Sequence, residues 1–173
     1  MTFKELIAND VRNREIVKDI GKAYQEGRFC LVITERKEHL ERLKVALSGI
    51  ERLASVCGNI KTKERQKELE RFKNFRKEEG GAVLLATGKL VGEGFDNPQL
   101  DTLFLTMPIS DRSLLIQYVG RLHRLCDQKH EVRVIDYRDS QERRLEKMFA
   151  KRLKIYKAIG FEEQYRQKDD FLL

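Results

Sequence analysis

The stretch AVLLATGKLVGEGFDNPQLDTLFLTM, residues 82–107, holds two short apolar runs on either side of a glycine-rich segment. The runs AVLLAT (82–87) and TLFLTM (102–107) are bounded by turn-forming residues and have the length and composition of strands. A continuous apolar run is typical of a strand that is buried on both faces. The stretch therefore predicts two strands in the middle of a sheet that helices cover.

Similar runs lie on both sides of this stretch. FCLVIT (29–34) and VRVIDY (132–137) are also predicted strands, and ASVC (54–57) is a possible fifth. Segments with helical periodicity lie between the runs, at about 9–26, 36–48, 62–78, 111–123 and 140–158. A repeated strand–helix–strand order predicts a parallel sheet. We therefore expect an α/β fold with three layers, in which helices flank a parallel sheet.

The composition is that of a globular chain with excess positive charge. Its 173 residues are 40% hydrophobic and 36% charged, and the formal net charge of +7 is compatible with a nucleic-acid partner. No apolar run approaches the roughly 20 residues that cross a bilayer, and the first residues lack the apolar core of a signal peptide. The cysteines Cys30, Cys57 and Cys126 have unrelated spacings, which suggests reduced thiols. We expect a cytoplasmic protein without a membrane partner.

Polar loops follow three of the predicted strands. They are TERKE (34–38), TGKLVGEGFDNP (87–98) and PISDRSLL (108–115). In a parallel sheet, ligands bind at the carboxyl ends of the strands. These loops are therefore predicted to meet at one edge and to form the functional surface.

The glycine-rich segment after residue 87 does not have the sequence of a phosphate-binding P-loop. Lys89 follows Gly88 but precedes Leu90, and Val83 stands where the first glycine of G-x-x-x-x-G-K-[ST] would be. The dinucleotide pattern G-x-G-x-x-G also fails, because Asn97 occupies its last position. This disfavours a nucleotide-binding enzyme of Rossmann type. A backbone contact to phosphate and a plain glycine turn both remain possible here.

The segment LIQYVGRLHR (115–124) predicts a helix with two chemically different faces. Gln117, Arg121 and Arg124 fall on one face, whereas Leu115, Tyr118, Val119 and Leu122 point to the other. Gly120 lies at the edge of the polar face, where a missing Cβ lets another group approach the backbone. Two arginines on one face favour an anion such as phosphate between them. An ordinary solvated face is the alternative.

Other polar residues are given structural interpretations. His123, Cys126 and His130 have metal-like spacing but lack a fourth ligand, so no metal site is expected. His39 lies in a charged helical segment and is expected at the surface. Asp136 ends a strand, and without a P-loop we interpret it as a strand-end cap.

The order of these pieces resembles the C-terminal RecA-like domain of superfamily two helicases and translocases. FCLVITERKEHLERL corresponds to motif IV, VLLATGKLVGEGFDNPQLDTLFLTMP to motif V, and QYVGRLHR to motif VI. The similarity covers about residues 28–139 and is nearest to the branch of type III restriction and excision-repair helicase subunits. It implies a RecA-like fold, related to P-loop NTPases but without its own P-loop.

The resemblance also implies roles around ATP. In such motors, an N-terminal RecA-like domain carries the P-loop and binds Mg²⁺, and ATP lies between the two domains. By resemblance, Arg121 and Arg124 reach the β- and γ-phosphates as arginine fingers, and Gln117 aligns the site. Gly94 and Asp96 contact the nucleotide or couple it to the nucleic-acid track.

The same resemblance implies a sequence-independent grip on nucleic acid, with DNA the expected substrate. Thr34, Arg36, Thr87 and Gly88 would face the phosphodiester backbone. The expected domain organisation is an N-terminal helical segment (1–27), the RecA-like domain (28–139), and a C-terminal helix and tail packed on it (140–173). We expect no ATP hydrolysis by this chain alone. The alternative function is a non-catalytic nucleic-acid-binding or regulatory module that reuses the fold.

Overall fold

The computed structural model describes residues 2–58, 61–88, 95–123 and 129–164. Its five strands form one sheet in the order β2-β3-β1-β4-β5, and every neighbouring pair is parallel. The predicted fold class is therefore confirmed, including the tentative fifth strand. The strands are β1 (Phe29–Thr34), β2 (Leu53–Val56), β3 (Ala82–Thr87), β4 (Thr102–Leu105) and β5 (Arg133–Asp136).

Helices cover both faces of the sheet. Within the described ranges they are α1 (Phe3–Ala8), α2 (Asp10–Gln25), α3 (Lys37–Ala46), α4 (Thr62–Lys73), α5 (Arg112–Gly120) and α6 (Arg143–Ala158). Two short 3₁₀ turns, Lys77–Glu79 and Arg121–His123, complete the helical structure. None of these helices is long and apolar enough to cross a membrane.

Alternate residues of the central strands supply two separate cores, as the two-residue period of a strand requires. Phe29 and Leu31 face the core that α4, α5 and α6 complete. Cys30 and Val32 face the core that α2 and α3 complete. Cys30 is fully buried, and burial raises the pKa of its thiol well above its usual range, so this cysteine is part of the core.

The first helix was not predicted as a separate element, although the sequence carries its start signal. Thr2 accepts a hydrogen bond from the Glu5 amide, and the Glu5 carboxylate accepts one from the Thr2 amide. This reciprocal capping box has the spacing T-x-x-E, which can be read from sequence. Leu6 of α1 then packs with Met107 after β4 and Leu145 of α6. The carboxyl edge of the sheet is thus closed on one side by α1 and α6.

Helix α6 is fixed to the sheet by a buried ion pair, and this corrects the interpretation of Asp136 as a simple strand-end cap. Arg152 donates from Nε and Nη2 to the two Asp136 oxygens, over 2.6 and 2.9 Å. Tyr156 Oη also donates to Asp136, over 2.9 Å. The Arg152 and Asp136 side chains are only 3% and 6% exposed. A long-range pair of this kind has no local sequence signature.

Candidate functional site

Two of the central strands end side by side at the predicted functional edge. Thr34 of β1 pairs in register with Thr87 of β3. The loop after β1 and the residue Gly88 after β3 are therefore neighbours, as the parallel sheet predicts. Thr87 is half-buried, Gly88 is buried, and Arg36 is exposed.

Thr34 and His39 are not at the surface, which corrects both sequence-based expectations. Both residues are 0% exposed, and Thr34 Oγ1 lies 2.9 Å from His39 Nδ1. His39 Nε2 lies 3.0 Å from Asn13 Oδ1, while the Asn13 amide nitrogen donates to the Ile7 carbonyl. Asn13 Oδ1 must therefore accept from His39 Nε2–H, so that Nδ1 accepts from the Thr34 hydroxyl. The Thr34 side chain is therefore buried beneath the loop after β1, where it bonds His39, and it does not face a ligand.

Helix α5 has the two faces that its sequence predicts. Leu115, Tyr118 and Val119 are at most 1% exposed and pack on the sheet, whereas Gln117 is exposed. The Asp111 side chain caps the helix start by accepting a hydrogen bond from the Leu114 amide over 3.0 Å. The apolar face therefore fixes the position from which the polar face projects.

The α-helix ends at Gly120, three residues earlier than predicted, and Arg121 begins a 3₁₀ turn. Residues three apart are stacked in such a turn. Arg121 is half-buried, and its Nη1 donates to the Phe95 carbonyl over 2.7 Å. No carboxylate in the described part of the chain pairs with Arg121. Its guanidinium is therefore oriented by a neutral carbonyl, and no carboxylate of the described residues offsets its charge.

The contact between Arg121 and Phe95 brings together two of the predicted motifs. Phe95 is buried in the core, and the next residue, Asp96, is exposed. Arg121 is therefore held beside the segment that contains Asp96. The other two predicted nucleotide contacts, Gly94 and Arg124, lie outside the described residues, as does Cys126 of the rejected metal cluster.

A contact that sequence reasoning missed joins α5 to the loop after β1. Tyr118 Oη donates to Glu35 Oε1 over 3.2 Å. Both side chains occupy the space beside Gly88, where an added Cβ would come closer than 3.0 Å to each of them. Gly88 is therefore required for close packing, independently of any backbone contact to phosphate. Burial, together with the Glu35 charge, raises the pKa of Tyr118 well above its usual range.

Arg36 completes the edge as an exposed cation. Its guanidinium lies over the ring of Phe3, 5.9 Å from the ring centroid, and it forms no ion pair with any described residue. The edge therefore presents two arginines. Arg121 lies beside the segment that contains Asp96, and Arg36 lies beside the ends of β1 and β3. Groups of this kind bind phosphate without reading bases.

Comparison with known proteins gives a family match. The description "Helicase conserved C-terminal domain" matches residues 12–126, more than half of the chain. Among curated proteins, "Putative helicase 161L" of Invertebrate iridescent virus 6 is 29% identical over 164 residues. The match covers 91% of this chain and 36% of that relative, so the chain spans only about a third of its length.

Solved structures show the same fold at low sequence identity. Dbp5 of S. cerevisiae, bound to RNA and ADP BeF3, has a TM-score of 0.66 at 19% identity, covering 90% of this chain and 38% of that chain. UvsW of T4 has a TM-score of 0.67 at 18% identity, with coverages of 91% and 35%. At such identity, the likeness shows the architecture alone.

Proposed function

The chain belongs to the helicase conserved C-terminal domain family, the C-terminal RecA-like domain of superfamily two helicases, and we propose that it is the second motor domain of an ATP-dependent helicase or translocase. Its role is to complete an ATP site that a separate N-terminal RecA-like domain begins. Its carboxyl edge also forms part of the nucleic-acid track. The expected substrate is DNA, because the sequence motifs resemble those of the restriction and excision-repair branch.

The proposal rests on the position and the hydrogen bond of Arg121. This arginine projects from the end of a packed helix, is oriented by the Phe95 carbonyl over 2.7 Å, and has no acidic partner in the described ranges. A guanidinium has five N–H donors, and within the described ranges the Phe95 carbonyl occupies one of those of Arg121, so the group is suited to bind an anion. We assign Arg121 and Arg124 as the arginine fingers that stabilise charge on the β- and γ-phosphates during transfer.

Three other residues complete this half of the nucleotide site. Gln117, exposed on the same helix, aligns the phosphates or the attacking water. Asp96, next to the residue that Arg121 contacts, and Gly94 are assigned to contact the nucleotide. ATP and its Mg²⁺ are held mainly by the N-terminal domain, which supplies the P-loop. The chain alone is therefore expected to show no significant ATP hydrolysis.

The nucleic-acid track is assigned to the ends of β1 and β3. Arg36 supplies an exposed charge, and Thr87 and Gly88 supply hydroxyl and backbone groups at the adjoining strand end. Thr34 has a supporting role only, since its side chain is fully buried. Contacts of this type bind the sugar–phosphate backbone in any sequence.

The test is DNA-stimulated ATP hydrolysis by this chain combined with its N-terminal half. Arg121→Ala and Arg124→Ala are each expected to lower the stimulated rate by about 10³- to 10⁵-fold, the range that arginine fingers contribute. Arg112→Ala, which removes an exposed arginine at the other end of the same helix, is the matched control and should leave the rate nearly unchanged. An undiminished rate in both finger variants would favour a non-catalytic binding module.

A further inference from the structure

An open groove lies at the carboxyl edge of the sheet, next to the proposed track. The loop after β1 forms one wall with Glu35 and Arg36, and the amino-terminal half of α6 forms the other. The lining also includes apolar side chains, among which Phe3 and Met148 are partly exposed. Glu35 belongs both to this groove and to the contact around Gly88, so the groove continues directly from the ends of β1 and β3.

The cations of α6 that line the groove are exposed. Within the described ranges, no ion pair involves any of them, and they recur on one face of α6 along about 12 Å of helix. They are Arg143, Arg144, Lys147 and Lys151. By contrast, Arg138 and Lys157 are paired with Glu146 and Glu163.

The carboxylates that line the groove accept hydrogen bonds from other groups of the chain. Asp111 accepts from the Leu114 amide at the start of α5, and Glu142 accepts from the Arg144 and Leu145 amides at the start of α6. Glu35 accepts from the Tyr118 hydroxyl. The lining holds five cationic side chains against these three carboxylates, so its net charge is positive and the groove favours an anionic ligand.

The wall that carries the cations is held in place from below. Leu145 packs with Leu6 and Met107, and Arg152 is paired with Asp136 under the same helix. The cations are therefore presented by a fixed helix and not by a loop. A preorganised row of charges loses less entropy when it binds a chain of phosphates.

We propose that this groove carries the phosphodiester backbone of a single strand onward from the ends of β1 and β3, along the cationic face of α6. Phosphates meet Arg36 and the cations of α6, and base faces rest on the apolar side chains of its lining, such as Phe3. This occupant suits a groove that combines cations with partly exposed apolar surface, because single strands present both phosphates and unpaired bases. The inference rests on the proposed function and adds α6 to its nucleic-acid surface.

The test uses two lysine pairs of equal spacing and charge. Lys147→Gln/Lys151→Gln removes two cations from the groove, and Lys63→Gln/Lys67→Gln removes two exposed cations from α4, which packs on β2 at the far edge of the sheet. Binding of the chain to a fluorescent oligothymidine strand is measured by anisotropy between about 50 and 200 mM salt. The groove pair should weaken binding at least about fivefold. It should also lower the slope of log K against log salt by about 1.4, or 0.7 for each lost contact, while the α4 pair changes neither.

The outcomes separate this inference from the function on which it rests. If Arg36→Ala weakens binding and the groove pair does not, the inference is wrong and the proposed track stands. Equal losses in both lysine pairs would mean a response to net charge, and would also overturn it. If the groove pair keeps strand binding but loses association with the N-terminal half, the groove is a domain interface instead. If the unaltered chain binds no strand, the proposed track and the inference fail together.

Discussion

Tyr118 Oη donates a hydrogen bond to Glu35 Oε1 over 3.2 Å, and this bond links α5 to the loop after β1. Tyr118 precedes Arg121 by three residues, and Glu35 precedes Arg36 by one. The proposed nucleotide and nucleic-acid surfaces are therefore connected by one contact between side chains. Gly88 lies against the same two groups. A nucleic-acid strand that displaces the end of β3 should therefore also displace the Tyr118–Glu35 hydrogen bond.

We predict that Tyr118→Phe uncouples the two surfaces. The ring stays in the core, so the stability of the chain should change little, because a hydrogen bond to an exposed partner contributes only about 1 kcal/mol. In the chain combined with its N-terminal half, basal ATP hydrolysis should persist, while the stimulation by DNA should fall severalfold. Tyr137→Phe is the control, since Tyr137 donates to Asp19 over the same 3.2 Å at a site away from these loops. Unchanged stimulation in Tyr118→Phe would show that coupling takes another route.

Gly120 gives a second prediction, because the described structure leaves open space where its Cβ would stand. Gly120→Ala should stabilise the chain by about 0.5–1 kcal/mol, as expected for glycine replaced in a helix. If ATP or the N-terminal domain approaches this backbone, the same variant should lower ATP hydrolysis by the combined motor. Gly21→Ala in α2, also with open space around it, should stabilise the chain without this cost. Equal ATPase rates in the two variants would mean that nothing approaches Gly120.

The sequence predicted the strands, most of the helices and one face of α5, because these depend on local patterns. Apolar runs located all five strands, and the helical period separated Gln117 from the buried Tyr118. The ends of two helices were predicted less well. The α-helical part of α5 ends before the 3₁₀ turn at Arg121–His123, and α4 ends at Lys73, both earlier than predicted.

What the sequence could not predict depends on contacts between distant segments. Thr34 and His39 are buried because Asn13, 26 residues before His39, completes their hydrogen bonds. Their polar neighbours in the sequence favoured a surface position instead. Glu35 and Tyr118 are 83 residues apart, and their segments meet because β4, which precedes α5, pairs in parallel with β1.

His39 predicts a loss of stability on mild acidification. Burial, and then the charges of Arg12 and Arg42, lower the pKa of His39 from 6.5 to about 4. Below pH 6.5 the unfolded chain therefore binds a proton at His39, whereas the folded chain binds it only near pH 4. The stability that the neutral ring contributes is fully present above pH 6.5 and is lost as the pH falls towards 4. From pH 7.5 to 5.0, the free energy of unfolding should drop by about 2 kcal/mol from this group.

The measurement is urea unfolding at several pH values. His39→Gln should lose most of the pH dependence, while His123→Gln, which replaces an exposed histidine, should keep it. If the unaltered chain is equally stable at pH 7.5 and 5.0, His39 is protonated without cost, and the Thr34–His39–Asn13 network does not require the neutral ring.

The last prediction concerns the ion pair beneath the cationic helix. Arg152→Met leaves the Asp136 carboxylate buried with only the Tyr156 hydroxyl as a side-chain partner in the described structure, and should cost about 3–5 kcal/mol in urea unfolding. Adding Asp136→Asn removes the stranded charge, so the double variant should be more stable than Arg152→Met alone. Arg138→Met, which opens the exposed pair with Glu146, should leave stability nearly unchanged. A double variant that is less stable than Arg152→Met would show that Asp136 stabilises the sheet through Tyr156 and not chiefly through its pair. Because Arg152 lies under the groove wall, Arg152→Met should also weaken strand binding without removing any groove cation.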